Sequence, residues 1–206
     1  MPTTLPRELL TAMTDTLPFT VPEDTGIEYD PSHFDDSERI EDLGRFLQFR
    51  ANELFLLNKA VPTTILLFVQ RAPDDSPSNR IVQTVLKTSN ERTKKLFYDF
   101  IRKFGALVDA IALAALTETW SYAGTDVEGL RAHQAKNDGS FEGFPGVVEQ
   151  VSVRIEYDDK NWLWRALILR SGENAVLGDW EKQEYTAVRG NMIGLLNRRE
   201  RSDSGN

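Results

Sequence analysis

The stretch VVEQVSVRIEYDDKNWLWRALILR, residues 147–170, decides the fold. Two runs of alternating apolar and polar residues flank a polar turn, Asp158-Asp159-Lys160-Asn161. A period of two marks a strand with one face toward a core, and two such runs across a turn make an antiparallel ribbon. Val151, Val153, Ile155 and Tyr157 share one face; Ser152, Arg154 and Glu156 share the other. If Tyr157 opposes Trp162, then Ile155 faces Trp164, Val153 faces Ala166, Val151 faces Ile168 and Glu149 faces Arg170. A slip of one residue would turn all of these side chains to the wrong face.

Upstream of the ribbon, residues 122–146 are polar and glycine-rich and read as a long connection. Before it, ALVDAIALAALTETW (106–120) is a buried strand by its flanking Gly105 and its Thr-Glu-Thr-Trp end, or a continued helix by its alanines; the strand is the reading adopted. Thr88 and Glu91 have capping-box spacing for a helix whose apolar side is Leu96, Phe97, Phe100, Ile101 and Phe104. Gly105 is positioned to end it in the left-handed conformation. Its other side carries Arg92, Lys95 and Arg102, with Lys94 and Lys103 beside them. Thr63–Gln70 is an apolar, β-prone run and a buried strand, and residues 72–79 are a loop. Residues 38–58 are a helix capped by Ser37. Its stripe is Ile40, Leu43, Leu47, Leu54 and Phe55, widened by Phe46, Ala51 and Leu57, and Pro62 stops it. Downstream, Thr186–Leu196 reads as a last helix and residues 198–206 as a frayed tail.

Residues 1–36 hold five of the nine prolines, which block helix interiors, so only a short helix at Arg7–Met13 fits there. Leu17, Phe19, Val21, Ile27, Tyr29 and Phe34 give this segment more apolar anchors than a solvated tail carries. It reads as an extended arm that packs on its own domain or on a neighbour. The expected organisation is therefore an acidic arm (1–36), one α+β domain (37–197) and the tail. The fold class is a mainly antiparallel sheet of about four strands with an N-terminal helix and a second packed helix.

With 206 residues, 40% of them hydrophobic, the chain suits one domain with a substantial core. It has no apolar run long enough to span a membrane and no basic-then-apolar leader, so no membrane partner is expected. Cysteine is absent, which excludes disulfides, thiolate metal sites and a cysteine nucleophile, and fits a cytoplasmic setting. Residues 1–60 carry twelve acidic and five basic side chains out of a net charge of −8. That segment would repel a phosphate backbone, so nucleic acid is not the expected partner. The near-neutral remainder argues against an acidic decoy that mimics nucleic acid.

Glu149 is the sharpest chemical candidate, because a carboxylate on an apolar strand face has a raised pKa unless it is paired. The structural alternative, a cross-strand pair with Arg170, follows from the register and is preferred. Glu118, at the end of the alanine-rich segment, could approach Glu149, and two carboxylates together can bind a hard metal or share a proton. His33 and His133 have no metal-ligand spacing, and His133 is a candidate acid–base group or a solvated loop residue. GxSxG, GxxxxGK[ST] and GxGxxG are all missing. Trp120, Trp162, Trp164 and Trp180 could line a binding groove or cover the ends of the sheet.

The segment Glu118–Trp180 resembles a group of short bacterial and phage proteins. Their pattern is a Glu-x-Trp closing a hydrophobic segment, a polar loop, a β-ribbon and a Leu-Gly-x-Trp close. Glu118-Thr119-Trp120, the 122–146 loop, Glu149 with the ribbon, and Leu177-Gly178-Asp179-Trp180 carry the likeness. The group's His-Pro-Asp-Arg-like loop element is missing, since Gln134 follows His133. The resemblance covers under a third of the chain and implies a fold without an activity. The function expected is a non-catalytic interaction or assembly module, of phage or mobile-element origin, that takes a protein partner or a second copy and no cofactor. In it, the arm docks on a partner or neighbouring subunit. The alternative is a metal-assisted hydrolase using Glu118 and Glu149.

Overall fold

The computed structural model describes residues 17–70, 79–87, 91–122, 124–137, 139–158, 160–172, 174–183 and 196. Among them are eight strands in one antiparallel sheet, three α-helices and a 3-10 turn. The expectation of about four strands is thus corrected. The strands are β1 (Glu23–Glu28), β2 (Thr64–Val69), β3 (Arg80–Val85), β4 (Ala110–Tyr122), β5 (Val147–Tyr157), β6 (Lys160–Ser171), β7 (Asn174–Leu177) and β8 (Glu181–Gln183). The helices are α1 (Ser37–Asn58), α2 (Glu91–Leu107) and α3 (Val127–Lys136), and the 3-10 turn is Pro31–Phe34. Strand order is β1-β3-β2-β4-β5-β6-β7, with β8 also on β6. The four strands not foreseen are β1, β3, β7 and β8. β1 reads EDTGIE, largely exposed and without apolar alternation, and β7 and β8 have four and three residues. Such strands exist because a neighbour supplies the ladder, not because their own pattern demands it.

The arm residues in view belong to this sheet. β1 pairs with β3, Phe19 is buried and bridges to Leu86, and Phe34 is buried against Phe68 and Tyr157. β1 is an edge strand, and its irregular register between Asp24 and Glu28, with Gly26 at φ 72°, disrupts further pairing. The helix at 7–13, the 72–78 loop, the Thr88 cap, the helix at 186–196 and the tail fall outside the described residues, Leu196 apart.

Both faces of the sheet are covered at its centre. On one, Ala112, Ala114, Leu116, Val151, Val153, Ile155 and Trp164 pack against Ile40, Leu47, Ala51 and Phe55 of α1. On the other, Ile65, Leu67, Leu113 and Ala115 pack against Phe97, Tyr98 and Ile101 of α2. This explains why β4 is apolar without alternation: a strand buried on both sides has no solvent face. The strand reading of this segment holds from Ala110. α2 continues through Gly105 to Leu107, and the left-handed residue is Asp109 (φ 53°), not the glycine. Opposite Phe68 and Val69, β4 carries one extra residue, Ile111, which places Ile111 on the α1 side with Ala112.

α1 is capped by Asp36, not Ser37: the Asp36 carboxylate accepts from Glu38 N at 2.9 Å. It ends at Lys59 (φ 55°), whose N–H reaches Phe55 O at 2.8 Å. Midway, the helix presses Gly44 onto Trp164, so that a Cβ there would lie 2.7 Å from the indole Cη2. Alanine for glycine in a helix interior ordinarily gains about 0.5–1 kcal/mol. Here overpacking of a buried ring costs about 1–3 kcal/mol and wins. Gly44→Ala is therefore expected to lower the urea midpoint; a raised midpoint would mean that the helix does not contact the indole.

The ribbon forms, two residues out of the expected register. Tyr157 opposes Lys160, Ile155 opposes Trp162, Val153 opposes Trp164 and Val151 opposes Ala166. The turn is shorter than the sequence suggests, with Asp158 in the left-handed region (φ 54°). A shift of two keeps every side chain on its intended face. The polar side of β5 is buried as well: Gln150, Ser152, Arg154 and Glu156 are all enclosed. The 122–146 connection contains α3, capped by the Asp126 carboxylate on Gly129 N (2.8 Å) and holding Leu130 inside.

Candidate functional site

Two features carry chemistry: a carboxyl cluster at the end of β4 and β5, and the outward side of α1. The pairing of Trp120 with Glu149 and of Glu118 with Val151 puts both glutamates on the α1 face, one diagonal step apart. Arg170 of β6 grips Glu149 with two hydrogen bonds, Nε to Oε2 at 2.5 Å and a terminal nitrogen to Oε1 at 2.7 Å. The expected ion pair is therefore made, along the diagonal created by the register shift. Glu118 Oε2 accepts from Val61 N at 3.1 Å, tying β4 to the segment between α1 and β2.

The two carboxyls lie close enough to influence each other, and their proton affinities separate. Burial pushes Glu118 above its ordinary value, against the Val61 N–H, and contact with Glu149 pushes it further. The Arg170 guanidinium holds Glu149 below its ordinary value. Glu149 has both oxygens engaged by arginine. Among the described residues no group of three His, Asp or Glu side chains could hold a metal ion.

Because the folded pKa of Glu118 is raised above 4.5, its contribution to stability is complete below 4.5 and is lost as pH rises through the folded value. Glu149 is depressed below 4.5, so its contribution is present above 4.5 and is lost as pH falls through its folded value. Glu118→Gln, which keeps an acceptor for Val61 and a donor for Glu149, is expected to remove the loss on the alkaline side. Urea unfolding at about pH 5 and about pH 8 checks it, with an expected gap on the order of 1 kcal/mol after solvent screening of a half-exposed group. Parallel pH profiles for the two proteins would contradict the assignment.

His133 does not join the cluster. It lies on α3, with Nε2 at 2.8 Å from the Glu142 carbonyl and its ring against Phe144, which in turn meets Tyr122. Its hydrogen bond and ring contact hold the 139–146 loop to α3. The tryptophans do not line one groove. Trp164 is buried beneath Gly44, Trp162 packs against the α1-side core, and Trp180 Nε1 donates to Asn52 Oδ1 of α1 at 3.1 Å. Trp120 is half-buried opposite Glu149.

On α1, Ile40, Gly44, Leu47, Ala51 and Phe55 face the sheet. Phe46 and Leu57, expected to widen that stripe, point the other way. They are 57% and 81% exposed, and with Phe49 (59%) and Leu56 (69%) they form a second apolar stripe facing out. At 100° per residue these four positions centre about 180° from the buried set. Phe49 and Leu56 lie outside the core-facing stripe, and a helix apolar on both sides is the sequence signal for them. Comparison with family models, with curated proteins and with solved structures finds no match.

Proposed function

We propose that the chain is a non-catalytic interaction module whose contact surface is the outward side of α1. The observation that carries this reading is the stripe Phe46, Phe49, Leu56 and Leu57, four large apolar side chains all more than half exposed on one helix. Exposed patches of a few hundred Å² are where monomers place interaction sites. Of the arm, expected to pack on its own domain or on a neighbour, residues 19–34 anchor on the chain's own sheet, and the contact surface is assigned to the helix. A cytoplasmic setting and a phage or mobile-element origin belong to this reading; the resemblance to the bacterial and phage group adds no activity to it.

If the stripe serves contact and not folding, Phe49→Ser/Leu57→Ser leaves the melting temperature of the dilute chain within about 2 °C, as exposed substitutions do. A fall of about 10 °C would show that the stripe packs within the chain, and the reading would be withdrawn. The second reading, a metal-assisted hydrolase, is favoured by the approach of Glu118 and Glu149. It has less support, because Arg170 occupies both oxygens of Glu149. A manganese-dependent rise in melting temperature, abolished by Glu118→Gln, would bring it forward.

A further inference from the structure

We infer that the partner seated on the outward side of α1 is a second copy of this chain, docked helix against helix and antiparallel. This rests on the reading of that face as a contact surface and gives it an occupant. The stripe runs from Phe46 to Leu57, about 16 Å along the helix. In its middle sits an exposed ion pair, Arg50 to Glu53, with nitrogen and oxygen 2.6 Å apart.

Phe46, Arg50, Glu53 and Leu57 are arranged symmetrically about one point, between Ala51 and Asn52, and Phe49 and Leu56 centre one residue beyond it. A two-fold axis there brings Phe46 level with Leu57 of the second copy, and Leu57 level with Phe46. The same axis brings Arg50 level with Glu53 of the second copy, and Glu53 level with Arg50. An isologous interface demands this reciprocity, in which every contact occurs twice with the roles exchanged. Phe46 and Leu57 then meet at both ends, and the two ion pairs trade partners across the centre without leaving any charge opposite its like. Antiparallel packing also sets the acidic beginning of each helix, Glu38 and Asp42, toward the Lys59 end of the other. A partner with an unrelated sequence would have no reason to match this internal symmetry.

Two stripes of a few hundred Å² bury on the order of 1,000 Å² together, the lower limit for a specific interface. The dimer is accordingly weak, with a Kd on the order of 10 µM. Sedimentation equilibrium across that range tests it on the full chain. The wild type is expected to be dimeric at about 100 µM and monomeric at about 1 µM. Leu57→Asp abolishes the dimer. Arg50→Glu alone puts a glutamate against Glu53 of the second copy and weakens association about tenfold or more. Arg50→Glu/Glu53→Arg restores it to within about threefold, because both the internal pair and the crossed pair are re-formed with reversed sign. A wild type that stays monomeric at about 100 µM, or a double reversal that remains as weak as the single one, overturns the inference. Failure here is separate from failure of the broader reading, which the melting of Phe49→Ser/Leu57→Ser decides.

Discussion

Glu156→Ala is expected to cost the fold about 3–5 kcal/mol, as large an effect as any single substitution in this chain. Arg154 and Glu156 lie two residues apart on β5 and therefore on one face, in direct ion-pair contact and almost fully buried. Arg154 also donates to Asn161 Oδ1 at 3.0 Å across the ribbon, and Glu156 Oε2 accepts from Leu196 N at 3.3 Å. Alanine at 156 withdraws a carboxylate from a buried guanidinium and leaves the Leu196 amide without that acceptor. The desolvated arginine then loses the counter-charge of Glu156. The pair itself need not stabilise, since two charges taken from water lose much of what their attraction returns. Arg154→Met/Glu156→Leu should consequently unfold within about 1–2 kcal/mol of wild type. Guanidinium titrations of the two variants measure both numbers. A single substitution costing under about 1 kcal/mol would mean that this side of β5 is open to water.

Trp164→Ala should be comparably severe, about 3–5 kcal/mol by the measure of buried aromatic truncations. The indole is the seat of α1: Gly44 lies on its edge, Val153 opposes it on β5, and the Lys182 ammonium sits 5.8 Å from the ring centroid. Loss of the ring removes apolar burial and leaves a cavity under the helix, and the absent Cβ at position 44 cannot fill it. Trp164→Phe should recover most of the loss. The contrast with Phe49→Ser/Leu57→Ser, on the opposite side of the same helix, is the sharpest statement about how α1 is oriented. A Trp164→Ala variant as stable as wild type would place the helix elsewhere.

The ribbon was legible because alternation assigns faces, and faces survive. What alternation cannot register is a shift of two residues, since it leaves every side chain on the same side. The pairing of Glu149 with Arg170 illustrates both points: it was foreseen as directly opposite, and it forms diagonally because both side chains are long enough to span the offset. β1, β7 and β8 escaped notice because their order comes from a neighbouring strand's ladder. α3 escaped because only Leu130 is buried to signal it, although Asp126, Glu128 and Lys136 are well placed for a cap and for the helix dipole. The burial of Arg154 and Glu156 was hidden by the assumption that the polar side of a strand is the wet side. The convergence of Glu118 and Glu149 was foreseen as a possibility of the sheet; that Val61 and Arg170 would engage them was decided by tertiary packing. Counting apolar positions places Phe46 and Leu57 in the core, because it assigns one helix a single apolar face.

Absence of cysteine makes the orientation of α1 directly measurable, because a single introduced thiol reports its own access to solvent. Leu57→Cys and Ala51→Cys are to be compared by thiol labelling in native buffer, at protein concentrations of about 1 µM and about 100 µM. The account predicts that the thiol at 57 reacts as a free one in dilute solution and is protected at the higher concentration. The thiol at 51 stays protected at both until the chain unfolds. Equal reactivity at the two positions, or protection at 57 that does not depend on concentration, would contradict it.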